Sequence, residues 1–385
     1  MKVISRNIKK SIEKDLKQKF VFLSGSRQVG KTTLAREIIG KKNGTYLLYD
    51  DDDDRQRILK KQYINKLWVC LDEFHKFQRW KSHIKGVFDK YHENLHLILT
   101  GSARLDVFQK SGDSLFGRYY LYHLHPLTCG ELSLPDNLPK IESILNFHRP
   151  IPGIDDLLKF SGFPEPFFKQ SVREHRRWSN ARNNLLIRED LRELTQIKLI
   201  TLVEQLMLLL PERIGSLFSY RSLSEDLKVA APTVKNWMDI FQKLFIAYSI
   251  SPYTKKIIRS IQKQPKFYLY DWSQITDEGH QFENFIASHL WKAAQLWTDL
   301  GEGNIDLHFL RDRMGREVDF IVLKDRKPWL LVEVKFSETS VDSNLQYFCS
   351  RLNVPGIQVI HRPNYIKEHG GITVVSADRW LANLP

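Results

Sequence analysis

Apolar and polar positions along the first third of the chain switch between two periods. Residues 20–24 (FVFLS) form a near-continuous apolar run, the pattern of a buried strand, and residues 31–39 follow with helical spacing. Similar runs recur at residues 45–49 (TYLLY), 67–71 (LWVCL), 95–99 (LHLIL) and 119–124 (YYLYHL). Buried strands separated by helical stretches predict a parallel α/β domain. Past Pro126 the pattern breaks into a stretch holding Pro135, Pro139, Pro150 and Pro152, which places a boundary there. Residues 154–248 read as mainly helical, with Leu202, Leu206, Leu209 and Leu210 at helical spacing. Strand-like runs return at residues 267–270, 318–323, 329–336 and 357–360. Three parts are expected: residues 1–150, 151–253 and 254–385.

Composition agrees with a chain that buries real cores, since 42% of its 385 residues are hydrophobic and 27% charged. No apolar run approaches the ~20 residues of a membrane span. Residues 1–19 are charged throughout and lack the apolar centre of a secretion signal. Cys70, Cys129 and Cys349 are odd in number, far apart and form no CxxC pair. A reducing, cytoplasmic setting is expected, with neither a disulfide framework nor a zinc site. Lys and Arg number 58 against 45 acids, a formal net charge of +13, which favours polyanionic partners without bearing on the fold. The acidic run 50–54 reads either as a solvated strand-to-helix connection or as a charge-presenting loop.

Candidate chemistry changes the picture most between the first run and its helix. Gly25-Ser26-Arg27-Gln28-Val29-Gly30-Lys31-Thr32, followed by Thr33, fits GxxxxGK[ST], the Walker A pattern, between a strand and a helix. Glycines let successive backbone N–H groups face a phosphate, and the helix adds its positive N-terminal end. Lys31 would reach the β- and γ-phosphates of a nucleotide and the Thr32 hydroxyl would ligate Mg²⁺. The run 67–71 delivers Asp72 and Glu73 at a strand end, the Walker B position, where ligands sit in open α/β sheets. Asp72 can hold Mg²⁺ through its water shell, and Glu73 is placed to polarise an attacking water. The run 95–99 ends in Thr100-Gly101-Ser102, whose hydroxyls either report the γ-phosphate or merely form a strand-to-loop turn. Arg118 could act across a subunit boundary on a neighbour's γ-phosphate, or be an ordinary surface arginine. From the order of the motifs the expected sheet order is 5-1-4-3-2. His123 and His125 share a strand face but lack a third ligand and read as ordinary strand residues.

The blocks GSRQVGKTT (25–33), LDEF (71–74), LTGS (99–102), LFGR (115–118) and PLTCGE (126–131) resemble those of prokaryotic AAA+-type P-loop ATPases fused to a C-terminal domain of largely unknown function. The likeness continues through SGFPE (161–165), REDL (188–191), SPY (251–253), GHQFEN (279–284), REVDF (316–320) and EVK (333–335). It implies ATP as the nucleotide, whereas the residues alone do not separate ATP from GTP. Ser26 stands where that family usually has proline, and no motif singles out a second nucleotide sensor among the arginines of residues 173–192.

Residues 221–248 read as helix, tight turn, helix, with Ser222 and Glu225 as a capping box and Pro232 in the first turn of the second helix. Val234, Trp237, Met238, Phe241, Leu244 and Phe245 share one face, leaving Thr233, Lys235, Asn236 and Asp239 outward. Such a winged-helix-like segment either reads DNA or serves as a structural lid. Lys255, Lys256, Arg259, Lys263 and Lys266 follow without an acid between them, as a basic wing along phosphates or as a solvated connection. In the last part, Asp319 on one strand and Glu333-Val334-Lys335 on the next resemble the core of PD-(D/E)xK nucleases. That resemblance implies Asp319, Glu333 and the helical Glu283 as ligands of a second Mg²⁺ or Mn²⁺, with Lys335 stabilising or activating the attacking water. The fold expected overall is α/β: a P-loop NTPase parallel sheet, a helical and winged-helix middle, and a C-terminal α/β nuclease-like domain. Two functions follow: an ATPase coupled to a domain acting on DNA, or a nucleotide-gated interaction protein with an inert platform.

Overall fold

The computed structural model describes residues 4–101, 115–133, 138–147, 150–191, 200–254 and 264–385. They gather into two compact bodies, chiefly residues 3–125 with 243–245, and residues 126–242 with 246–385.

The first body is built on β1 (Phe20–Gly25), β2 (Thr45–Leu48), β3 (Trp68–Asp72), β4 (His96–Gly101) and β5 (Tyr119–Leu124). All neighbours are parallel and the order is β2-β3-β4-β1-β5, the expected order read from the other edge. Every residue of β1 and β3 is buried, as a parallel sheet covered on both faces requires. Phe20, Phe22, Leu47, Val69, Leu71, Leu97 and Leu99 join Trp80, Ile84 and Val87 of the helix Trp80–Tyr91 in one core. Burial of each such side chain is worth about 1.5–3 kcal/mol, so the strand ends that carry the polar motifs stand on a stiff base. The acidic run proves to be a helix start. Asp51 caps the helix Asp52–Leu59 by accepting from the Asp54 N–H at 2.9 Å, and Asp52, Asp53 and Asp54 lie in its first turn.

The second body opens with the short helix Cys129–Ser133 and continues through helices Ile154–Phe160, Pro164–Lys169, Val172–Leu185, Ile200–Leu209 and Tyr220–Leu227, followed by Ala231–Lys243. Ser222 is not the cap. Ser219, in an extended conformation, accepts from the Ser222 N–H at 3.2 Å and starts the helix earlier, and Glu225 pairs with Arg221 at 3.1 Å instead. Pro232 does fall in the first turn of the next helix, which buries Val234, Trp237, Met238 and Phe241. An antiparallel pair, β6 (Ala247–Ile250) and β7 (Lys266–Leu269), follows, then the long helix Glu278–Asp299.

The second large sheet comprises β8 (Ile305–Arg311), β9 (Glu317–Lys324), β10 (Lys327–Lys335), β11 (Gly356–Ile360), β12 (Ile366–His369) and β13 (Ile372–Ser376). Its order is β12-β13-β11-β10-β9-β8. The pairs β8–β9 and β9–β10 are antiparallel, and β10–β11 is parallel across the helix Ser343–Leu352. Residues 126–131 anchor the long helix. Glu131 and Lys292, both buried, form an ion pair at 2.8 Å, Lys292 also donates to Thr128 Oγ1 at 2.9 Å, and the Cys129 N–H donates to His289 Nε2 at 3.1 Å. Among the described residues no helix is long and apolar enough to cross a membrane.

Candidate functional site

β1 runs to its last residue in register with β5, Gly25 opposite Leu124. A Cβ on Gly25 would meet the Leu124 carbonyl oxygen at 2.3 Å, so only glycine lets both strands reach that point. The loop then turns back, and Gly30, at φ 102°, starts the helix Lys31–Gly40 in a conformation that other residues avoid. This strand–loop–helix arrangement collects backbone N–H groups and the positive helix end around a phosphate. The Lys31 ammonium donates to the carbonyls of Gly25 at 3.0 Å and Ser26 at 2.9 Å, so it lies folded over the loop. Ser26 Oγ donates to the Phe245 carbonyl at 3.3 Å. Val29 is buried, Arg27 is half-buried, and Gln28 and Thr33 are exposed. Buried Arg6 donates to the Val29 carbonyl at 3.0 Å and to that of His125, tying the loop to the residue after β5.

The structure brings Asp72, at the end of β3, to this loop. Thr32 Oγ1 donates to Asp72 Oδ2 at 2.7 Å, and the Tyr46 hydroxyl of β2 donates to the same oxygen. The other oxygen accepts from Thr100 Oγ1 of β4 and from the Glu73 N–H at 3.1 Å. Burial alone would raise the Asp72 pKa, yet the Thr100, Tyr46 and Thr32 hydroxyls and nearby Lys31 hold it below the usual carboxylate range. Thr100 is thus turned onto Asp72. Glu73 is held at φ 54°, ψ 28°, a left-handed conformation costing a non-glycine residue about 1–3 kcal/mol. Burial pushes its carboxyl above the usual range, partly opposed by Lys31. His75 Nδ1 lies 3.5 Å from Glu73 Oε2, and burial pushes this imidazole down to about 4, so the contact is with a neutral ring.

One described residue of the predicted set, Arg118, lies away from its own loop. Ser102 lies outside the described residues. Arg118 precedes β5, and its carbonyl accepts from the Phe20 N–H at 3.3 Å, at the start of β1. That end of the sheet is opposite Gly25, about 20 Å away along a six-residue strand. There Arg118 Nε donates to Asp89 Oδ1 at 2.7 Å.

In the second body the predicted residues converge on the β9–β10 pairing. The Asp319 N–H donates to Glu333 Oε2 at 3.2 Å and the Val334 N–H to Asp319 Oδ2 at 2.9 Å. Lys335 pairs with Glu333 Oε1 at 2.9 Å and Asp342 at 3.1 Å. Burial pushes Asp319 up to about 7, with Glu283 adding to the shift, and Glu333 up to about 8, with Asp319 adding. Lys266 on β7 joins them, 2.6 Å from Glu317, 3.6 Å from Glu283 and 3.7 Å from Asp319, and Tyr268 donates to Glu283 Oε1 at 2.8 Å. Among the described residues no group of three or more His, Cys, Asp or Glu side chains is arranged to hold a metal ion.

Sequence reasoning missed Arg6, Tyr46 and Glu317, and it read Lys266 as part of a basic wing or a solvated connection, whereas the structure buries Lys266 among Glu317, Glu283 and Asp319. Only Lys266 left a signal, a lysine opening a strand whose four residues are all buried. The others act across strands or from the N-terminal segment, and spacing along the chain does not show such contacts.

Loop, sheet order and the Thr32–Asp72 bond define the first body as a P-loop NTPase-type nucleotide-binding domain. Residues 17–133 match the family described as "AAA domain", which supports an AAA-type domain of the P-loop ATPase class. Residues 152–275 and 278–380 match two families, each described only as a domain of unknown function (DUF8612 and DUF4143). An uncharacterized protein of Methanocaldococcus jannaschii is 25% identical over 303 residues, covering 68% of this chain and 63% of its own length. The match therefore spans less than two thirds of that relative. Uncharacterized proteins of Mycobacterium bovis and Mycobacterium tuberculosis are each 23% identical over 362 residues, covering 89% of this chain and 76% of theirs. Among solved structures, the Thermotoga maritima RuvB Holliday junction branch migration motor is similar at TM-score 0.31 and 17% identity, over 67% of this chain and 94% of that one. Bacteroides Pif1 bound to ssDNA is similar at 0.22 and 14%, over 32% and 42%.

Proposed function

We propose that the chain is a Mg²⁺-dependent ATPase organised as residues 1–150, 151–253 and 254–385, whose nucleotide state acts on a DNA-binding C-terminal part. The observation that supports this best is the 2.7 Å bond from Thr32 Oγ1 to Asp72 Oδ2. It joins the loop helix to the neighbouring strand end, with Glu73 next in the chain. Loop amides of residues 25–33 and Lys31 bind the triphosphate. Thr32 and Asp72 fit a Mg²⁺ ion, because an ionised carboxylate and a hydroxyl already share one point, and the ion would neutralise the β- and γ-phosphate oxygens. Glu73 takes a proton from a water whose oxygen bonds to the γ-phosphorus, while the bond to the bridging oxygen breaks and ADP leaves with its electron pair. Thr100 keeps Asp72 ionised and oriented. Arg118 lies too far from its own loop to contribute, so any role at a γ-phosphate is in trans, within a homo-oligomer. Lys31→Ala should lose binding of a fluorescent ATP analogue at least a hundredfold, with ATP competing better than GTP. Unchanged binding would remove Lys31 from the site.

For the C-terminal part, a helix, three antiparallel strands, a helix and a parallel fourth strand surround Asp319, Glu333 and Lys335, which supports a nuclease-like reading. The second reading, a nucleotide-gated protein with an inert nuclease-like platform, is favoured by one observation: Lys266 contacts the same carboxylates.

A further inference from the structure

β7 places Lys266 and Tyr268 on one face, two residues apart, and both reach Glu283. Lys266 is 3% exposed, so its ammonium is sealed from water and depends on Glu317, Glu283 and Asp319 for compensation. Most of the carboxylate oxygens are engaged. Glu333 Oε2 and Asp319 Oδ2 accept backbone N–H groups, and Glu333 Oε1 pairs with Lys335. Glu283 Oε1 accepts from Tyr268, leaving Lys266 beside it and beside Asp319 Oδ1. A Mg²⁺ bonded to those same oxygens at about 2.1 Å would lie within a few ångströms of a buried ammonium, where burial leaves the repulsion weakly screened. The residues present therefore do not fit a divalent ion while Lys266 is in place.

We infer that Lys266 is the resident cation of this carboxylate cluster, so that the C-terminal domain takes no divalent metal there and acts as a non-cleaving platform. The inference rests on the nuclease-like reading of Glu283, Asp319 and Glu333. It is tested by titrating nucleotide-free full-length chain with Mn²⁺ and following free Mn²⁺ by electron paramagnetic resonance. Comparison with Asp319→Asn subtracts ions bound elsewhere, and circular dichroism checks folding of each variant. Wild type and Asp319→Asn should bind equally, whereas Lys266→Met should gain a Mn²⁺ that Lys266→Met/Asp319→Asn loses. Asp319-dependent Mn²⁺ binding by the wild type overturns the inference while leaving the nuclease-like reading intact, and it does so even if Lys266→Met fails to fold. A folded Lys266→Met that gains no ion overturns the nuclease-like reading, and the inference falls with it.

Discussion

Asp72 keeps its charge at 2% exposure because three hydroxyls from three different elements converge on it. A carboxyl whose pKa is depressed on folding stabilises the protein above its unfolded pKa, and that contribution is lost as pH falls through the folded value. Tyr46→Phe removes one donor and should cost about 1.5 kcal/mol at neutral pH, the low end for a bond to a charged group, since Tyr46 is half-exposed. In thermal melts the deficit should shrink as acid neutralises Asp72; a deficit independent of pH would assign the tyrosine to packing alone. Glu73 carries the opposite shift. Its carboxyl is raised, and a base works only when ionised, so ATP turnover should fall on acidification at a pH above the ordinary carboxylate range. A pH–rate profile of Glu73→Gln should lack that limb, and its persistence would assign the titration to another group.

At the scale of elements, the buried Glu131–Lys292 pair holds the segment after β5 against the long helix Glu278–Asp299. Lys292→Met alone should cost about 3–5 kcal/mol by leaving Glu131 buried without its cation, and Glu131→Gln/Lys292→Met should recover most of it. Denaturant unfolding checks this, and equal losses in single and double variants would contradict it. The central strands β3, β4 and β1 were legible because each is an apolar run buried almost throughout, and the half-buried edge strands β2 and β5 because their aromatic and apolar residues are contiguous. β8, β12 and β13 were not: β8 and β12 are edge strands, the first alternating and the second exposed throughout, while β13 is a short buried interior strand whose apolar run was passed over. The helix carrying Ser222 was placed late because Ser219 competes for the same cap and only backbone geometry separates them.

Over the whole molecule, the legible part of the site was the part encoded contiguously. The phosphate loop and Asp72-Glu73 are each a few consecutive residues, whereas Tyr46 and Lys266 enter through strand pairing and helix packing. The excess positive charge is a whole-molecule property; of its densest acid-free run, residues 255–266, residues 255–263 lie outside the described residues and Lys266 is buried. If that charge binds DNA, affinity should fall on the order of a thousandfold between 50 and 200 mM salt when six or more phosphates are contacted. A salt-independent affinity in fluorescence anisotropy would remove the electrostatic account. The central claim concerns the loop and its carboxylates. It is tested most directly by phosphate release from ATP with Mg²⁺, measured beside nucleotide binding for wild type and Glu73→Gln. Turnover should drop at least a hundredfold in Glu73→Gln while ATP binding is retained; equal turnover would contradict the account.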